Sequence, residues 1–92
     1  MIIKKGRSQL TFVYQPDNAC RHVQLAGSFN DWEPNQGTMA RQKDGSFRKR
    51  LRLGPGEHRY KFLVDGRWVE DPQAEGLTPN PFGTCDSVVT VG

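Results

Sequence analysis

The chain has 92 residues, thirteen Lys and Arg against ten Asp and Glu, a net charge of +3 and 35% hydrophobic residues, which makes one domain over residues 1–92 with a modest core and excludes two. A mean hydropathy of -0.71 is low, yet the apolar residues are regularly patterned, as in a β-protein with polar outward faces, and this speaks against disorder. No apolar run approaches the roughly 18 residues of a membrane span, and the Met-Ile-Ile-Lys-Lys start lacks the apolar stretch of a signal peptide, so the chain reads as cytoplasmic with no membrane partner.

Turn signals at short, regular intervals divide the chain into strands, and no helix pattern interrupts them. Ser8 to Tyr14 alternates Leu10, Phe12 and Tyr14 and meets a turn at Gln15-Pro16-Asp17-Asn18. His22 to Ala26 is a second strand, ended by Gly27. Asn30 to Gly37 is too polar and too broken by Pro34 and Gly37 to be a strand, so Trp32 rides on a loop, while Phe29 reads as core. A short strand around Met39 spans Thr38 to Gln42, and Asp44-Gly45 turns the chain tightly into Ser46 to Leu53. Gly54-Pro55-Gly56 returns it into Glu57 to Val64, and Trp68 to Glu70 follows until Asp71-Pro72 stops it, because proline offers no ladder donor. Gln73 to Thr84 reads as a long loop, of the length that often carries function, and Ser87 to Val91 is the last strand. The pattern is that of an all-β sandwich or barrel.

The most informative stretch is Glu57 to Pro72. Asp65-Gly66 between two β-rich runs is the preferred two-residue hairpin turn, since both central residues need positive φ. Leu63 then faces Trp68, and alternation sets Lys61, Leu63 and Trp68 on one face and Tyr60, Phe62 and Val64 on the other. The second trio is core. An indole and an ammonium remain as diagonal neighbours on the open face, a pairing suited to a flat polar ligand with an apolar ring surface, such as a sugar.

Cys20 and Cys85 are the only cysteines; without a secretory signal or a Cys-x-x-Cys motif they read as reduced thiols rather than a bridge. His22 and His58 lack metal-ligand spacing, and no cofactor motif occurs. Arg48, Arg50 and Arg52 point outward from their strand, with Lys49 the exception on the inward side, and this reads as a solvated face. A net charge of +3 is modest for a phosphate-binding surface, so no nucleic-acid partner is expected.

Four ordered pieces then resemble a known family: Val23-Gln-Leu-Ala-Gly-Ser-Phe-Asn-Asp-Trp-Glu-Pro, Asp44-Gly45, Leu53-Gly-Pro-Gly-Glu-His-Arg-Tyr-Lys-Phe-Leu-Val-Asp-Gly-Arg-Trp with Asp71-Pro72, and Asn80-Pro-Phe-Gly-Thr-Cys-Asp-Ser-Val-Val-Thr-Val. They are similar, in order and spacing from about Leu10 to Val91, to carbohydrate-binding module family 48. That family includes the glycogen-binding domain of the AMP-activated protein kinase β subunit and the N-terminal domain of isoamylases and branching enzymes. The resemblance implies an immunoglobulin-like β-sandwich of about seven to eight short antiparallel strands that binds α-1,4-glucans such as glycogen, starch and maltooligosaccharides. It sets the sugar-stacking tryptophans at Trp32 and Trp68 and the polar lysine at Lys61. Phe82, followed by Gly83 and Thr84, stands where the family often has a leucine that reaches through a ring of sugars. Asp86 replaces an asparagine that hydrogen-bonds glucose hydroxyls, and a carboxylate only accepts where an amide also donates. Asn80 is a further candidate hydroxyl partner.

Each residue also has a plainer role to weigh. Trp32 would serve as a lid on the core, Trp68 as cross-strand packing for Leu63, Lys61 as an ordinary surface lysine, Phe82 as a side chain buried under its loop, and Asn80 between two prolines as a turn residue. Two outward indoles in so small a domain favour the ligand. Catalysis is not expected: a glycosidase needs two carboxyl groups across a cleft, whereas Asp65 is held in a turn, Asp71 precedes a proline, and Glu57, Glu70 and Glu75 are scattered. The expected function is non-catalytic glucan binding. The alternative is an interaction module that keeps the fold and docks on a glucan-active enzyme or kinase subunit without binding sugar.

Overall fold

A computed structural model of the chain describes residues 2–6, 8–16 and 20–92. Among them, nine strands form: β1 (Ile2–Lys5), β2 (Gln9–Tyr14), β3 (Val23–Gly27), β4 (Ala40–Arg41), β5 (Phe47–Arg52), β6 (Gly56–Val64), β7 (Arg67–Val69), β8 (Gly76–Pro79) and β9 (Cys85–Val91). One sheet has the order β1-β2-β5-β4; the other has β3-β6-β9-β8, with β7 added to β6. All ladders are antiparallel, so the all-β, immunoglobulin-like sandwich is the fold, with nine strands in place of seven to eight.

The two added strands lie at edges. β1 pairs with β2 and contributes Ile2 to the core, and β8 pairs with β9 inside what read as one long loop. Gly76 and Pro79 disguised β8, yet proline is tolerated on an edge strand, where its missing N–H faces no partner. The loop proper is therefore shorter, Asn80 to Thr84.

The other turns are largely as expected. Asp65 and Gly66 have φ of 48° and 84°, the paired left-handed conformation of a two-residue hairpin. Val64 faces Arg67 and Leu63 faces Trp68, as the sequence required. The turn at Asp44-Gly45 is a three-residue loop instead: Gln42 N donates to Ser46 O at 2.7 Å, Gly45 N donates to Gln42 O, and Gly45 takes φ 87°. Asp44 Oδ1 accepts from both the N–H and the hydroxyl of Ser46, and these bonds hold its carboxyl below the usual range. The strand around Met39 is narrower than expected. Thr38 bridges to Gln24 while Ala40–Arg41 pairs with β5, so the chain changes sheets at the buried Met39. The Asn30 to Gly37 loop closes with a single 3-10 turn, Pro34–Gln36, and the Asp17-Asn18 part of the first predicted turn lies outside the described residues.

The core sits between the sheets. Phe12, Tyr60 and Phe62 are fully buried and meet edge to face, with Phe12–Tyr60 centroids at 5.1 Å and Tyr60–Phe62 at 5.9 Å. Phe29 packs on Phe12 at 5.7 Å. The Tyr60 hydroxyl donates to Asp71 Oδ2 at 2.7 Å, and Asp71 N donates to Ser87 Oγ. Asp71 thus ends the hairpin and ties it to β9. Burial, then the hydrogen bond to Asp71 and its charge, push the Tyr60 phenol far above its ordinary value of 10. Ionisation is easier in the unfolded chain than in the folded one, so stability is intact below pH 10 and falls above it, by up to about 1.4 kcal/mol per pH unit. Chemical denaturation at increasing alkaline pH checks this; Tyr60→Phe should show a shallower decline.

Candidate functional site

The outward face of the β3-β6-β9-β8 sheet is built from the residues alternate to the core set. Leu63 pairs with Gln24 on one side and Trp68 on the other, giving a row Gln24–Leu63–Trp68 across β3, β6 and β7. The next row holds Ala26 and Lys61, and Asp86 lies beside Lys61, one residue beyond the Tyr60–Ser87 pair. Trp68 is 50% exposed, as the hairpin geometry required.

Trp32 sits in the turn after β3. Its N–H donates to Gly27 O at 2.9 Å, and Asn30 organises the turn: Asn30 Oδ1 accepts from Gly27 N, and Nδ2 donates to Leu25 O. Asp31 and Trp32 both adopt left-handed φ, 55° and 58°. That conformation is uncommon for a bulky side chain and persists only where surrounding bonds over-determine it. Trp32 is left 36% exposed.

Asn80 plays the same part in the last loop. Its Nδ2 donates to Thr84 Oγ1 at 2.8 Å and to Asp86 Oδ1 at 2.9 Å, while its Oδ1 accepts from the N–H groups of Phe82 and Thr84. The amide is spent on the loop, so Asn80 is a turn residue. Gly83 supplies φ 81°, and Phe82 stands at the tip, 88% exposed, rather than buried beneath the loop.

Lys61 departs from the open ammonium expected of it. It lies on the predicted face but is only 8% exposed, and its Nζ donates to Thr84 Oγ1 at 3.1 Å. The alkyl stem covers the sheet while the charged head turns to the loop, as long cations do on apolar surface. Asp86 is likewise buried, with Oδ1 held by Asn80. Lys61, Asn80, Thr84 and Asp86 therefore form one hydrogen-bonded group beneath Phe82. Trp32 and Trp68 are hung from opposite sides of β6, their backbones on the order of 10–15 Å apart by strand spacing. Gln24, in the Trp68 row, escaped the sequence reading because only the β3–β6 register brings it there.

The remaining ionisable groups have structural duties. Asp65 Oδ1 accepts from His22 N at 2.8 Å and from Arg21 N at 3.0 Å, which lowers its carboxyl and ties the hairpin to the start of β3. Glu75 pairs with Lys4 at 2.9 Å, a bond that lowers its carboxyl too. Cys20 and Cys85 are free, and burial raises the Cys20 thiol. Among the described residues, no group of three His, Cys, Asp or Glu side chains is placed to hold a metal, and no helix is long and apolar enough to cross a membrane.

Residues 9–92 match the family described as the glycogen recognition site of AMP-activated protein kinase. The chain belongs to this family of carbohydrate-binding modules. It is 39% identical over 71 residues to 5'-AMP-activated protein kinase subunit beta-1 of Sus scrofa, covering 77% of this chain and 55% of that sequence. It is 38% identical over 71 residues to subunit beta-1 of Homo sapiens and to subunit beta-2 of Mus musculus, covering 77% of this chain and 25% of each. The module thus spans about half or less of these relatives. The fold is also that of a segment of a maltogenic amylase from S. marinus, with a TM-score of 0.78 at 22% identity, over 95% of this chain and 14% of the amylase.

Proposed function

We propose that this module binds α-1,4-glucans without acting on them, stacking sugar rings on Trp32 and Trp68. What supports the reading is two partly exposed indoles, Trp68 on β7 and Trp32 in the turn after β3, on elements that flank the strand carrying the Lys61–Thr84 bond, in a member of a glycogen recognition family. A pyranose presents axial C–H groups as an apolar face and hydroxyls as its edge. The indoles cover faces, and the polar group around Lys61, Thr84 and Asp86 meets the edge; Phe82 at its loop tip adds a third apolar contact. Removing roughly 60 Å² of apolar area per ring contributes on the order of 1 to 2 kcal/mol, so single-site binding is weak and the polymer adds avidity. Asp44, Asp65, Asp71 and Glu75 are engaged in turns, a buried hydrogen bond and an ion pair, duties that set them apart from the paired carboxyl groups of a hydrolytic cleft. Because the relatives are subunits or segments of larger proteins, the module's role is to hold a glucan-active enzyme or kinase assembly on its polymer.

Tryptophan fluorescence tests this. Maltoheptaose should quench it while cellohexaose does little, because a curved α-1,4 chain offers successive rings to both indoles and a flat β-1,4 chain does not. The maltoheptaose affinity should change less than about threefold between roughly 50 and 500 mM salt, as a stacking contact predicts. Equal response to the two sugars would sink the assignment.

A further inference from the structure

The charge of this protein is distributed very unevenly. The β1-β2-β5-β4 sheet carries two lysines on β1, one arginine on β4, and three arginines and a lysine on β5. That is seven of the thirteen cations, with none of the ten acidic residues. The rest of the chain holds six cations against ten acids and is net negative, although the whole protein is +3. The strands of the β3-β6-β9-β8 sheet with β7 carry three cations, Arg59, Lys61 and Arg67, against Glu57 and Asp86, so the basic excess lies on the first sheet and the acidic excess in the loops.

On the outward face of the basic sheet, strand register sets Lys5, Gln9 and Arg52 in one row and Ile3, Thr11 and Arg50 in the next, with Arg48 in a third beside Val13. Lys5, Arg50 and Arg52 are exposed, and Ile3, on the edge strand with Lys5, is 43% exposed. Arg48 reaches Asp44 at 4.0 Å; among the described residues, neither Arg50 nor Arg52 has an ion-pair partner. Alternate residues of a strand lie roughly 7 Å apart, so Arg50 and Arg52 repel each other along β5, with Gln9 and Thr11, both neutral, opposite them on β2. A surface shaped only for solubility intersperses the two signs.

We propose that this face docks an acidic protein surface, leaving the tryptophan-bearing sheet, the opposite layer of the sandwich, free for its own ligand. The residue types favour carboxylates. Arginine presents a planar fork that meets a carboxylate with two parallel hydrogen bonds, Gln9 and Thr11 add neutral partners, and Ile3 adds an apolar contact at the β1 edge. No aromatic residue stands at these outward positions, so the face lacks the stacking platform that single-stranded nucleic acid uses. Four strands of two to six residues cover at most about 15 by 20 Å, well under the ~800 Å² that each partner gives to a stable complex. The contact is therefore transient, electrostatically steered and sensitive to salt.

The test titrates the full chain against a fluorescein-labelled peptide of alternating Glu and Thr, a thymidine oligonucleotide of matched charge, and vesicles containing phosphatidylserine. The expected result is saturable peptide binding that weakens at least about tenfold from roughly 50 to 300 mM salt. Arg50→Glu combined with Arg52→Glu should weaken it at least about tenfold further, with maltoheptaose binding unchanged. Arg50→Gln with Arg52→Gln removes charge without adding repulsion and should fall between. Absence of peptide binding, indifference to both variant pairs, or tighter binding to the oligonucleotide or the vesicles would each overturn the proposal. If the Glu pair melts at lower temperature, the Gln pair decides: undiminished peptide binding by that folded variant overturns it. Sugar binding is read separately in the same samples, so its failure bears on the glucan assignment alone.

Discussion

Trp68→Ala loses at least about tenfold in maltoheptaose affinity, enough to push a weakly bound ligand out of measurable range, while the domain stays folded. The magnitude follows from area: an indole that covers roughly 60 Å² of a sugar ring contributes about 1.5 kcal/mol, and the site has few such contacts. Stability falls by only about 1 kcal/mol, because Trp68 is 50% exposed on the outward face and its removal leaves no core cavity. Titration calorimetry with maltoheptaose beside a thermal melt reads both quantities. A variant that unfolds would make the indole a core residue; one that stays folded and binds normally would remove Trp68 from the site.

Phe62→Ala, on the opposite face of the same strand pair, loses about 3 to 5 kcal/mol. Phe62 is fully buried, with its ring 5.1 Å from Tyr14 and 5.9 Å from Tyr60. A domain of this size has on the order of 5 to 14 kcal/mol to lose, so the variant is marginal at physiological temperature. Urea denaturation measures the difference; a loss below about 1 kcal/mol would mean that the core repacks around the gap. The contrast between neighbours so close in sequence is the sharper test. A one-residue slip of the hairpin would exchange the two faces, and the two variants would exchange phenotypes.

That hairpin was legible because its signals are local. Asp65-Gly66 specifies the turn, the turn specifies the register, and alternation assigns Phe62 inward and Trp68 outward. Trp32 could be assigned to a loop on composition alone. The same local reasoning missed β8, whose residues hold an edge position only because β9 offers a free ladder beside them. It also missed β1, where a single inward Ile2 makes no readable alternation.

The sequence by itself determined the all-β class, the tight turn at Asp65, the separation of Tyr60, Phe62 and Val64 from Leu63 and Trp68, and the membership signalled by four ordered motifs. These depend on backbone sterics and on the two-residue period of a strand, which act between near neighbours. Only the tertiary structure decided that Lys61 is a buried donor to Thr84 rather than an open ammonium, that Asp86 is held by Asn80, that Phe82 is exposed, and that the cations gather on one layer. Those outcomes depend on which loop folds over which strand and on which strands share a sheet, pairings between residues far apart in the chain that no local preference encodes.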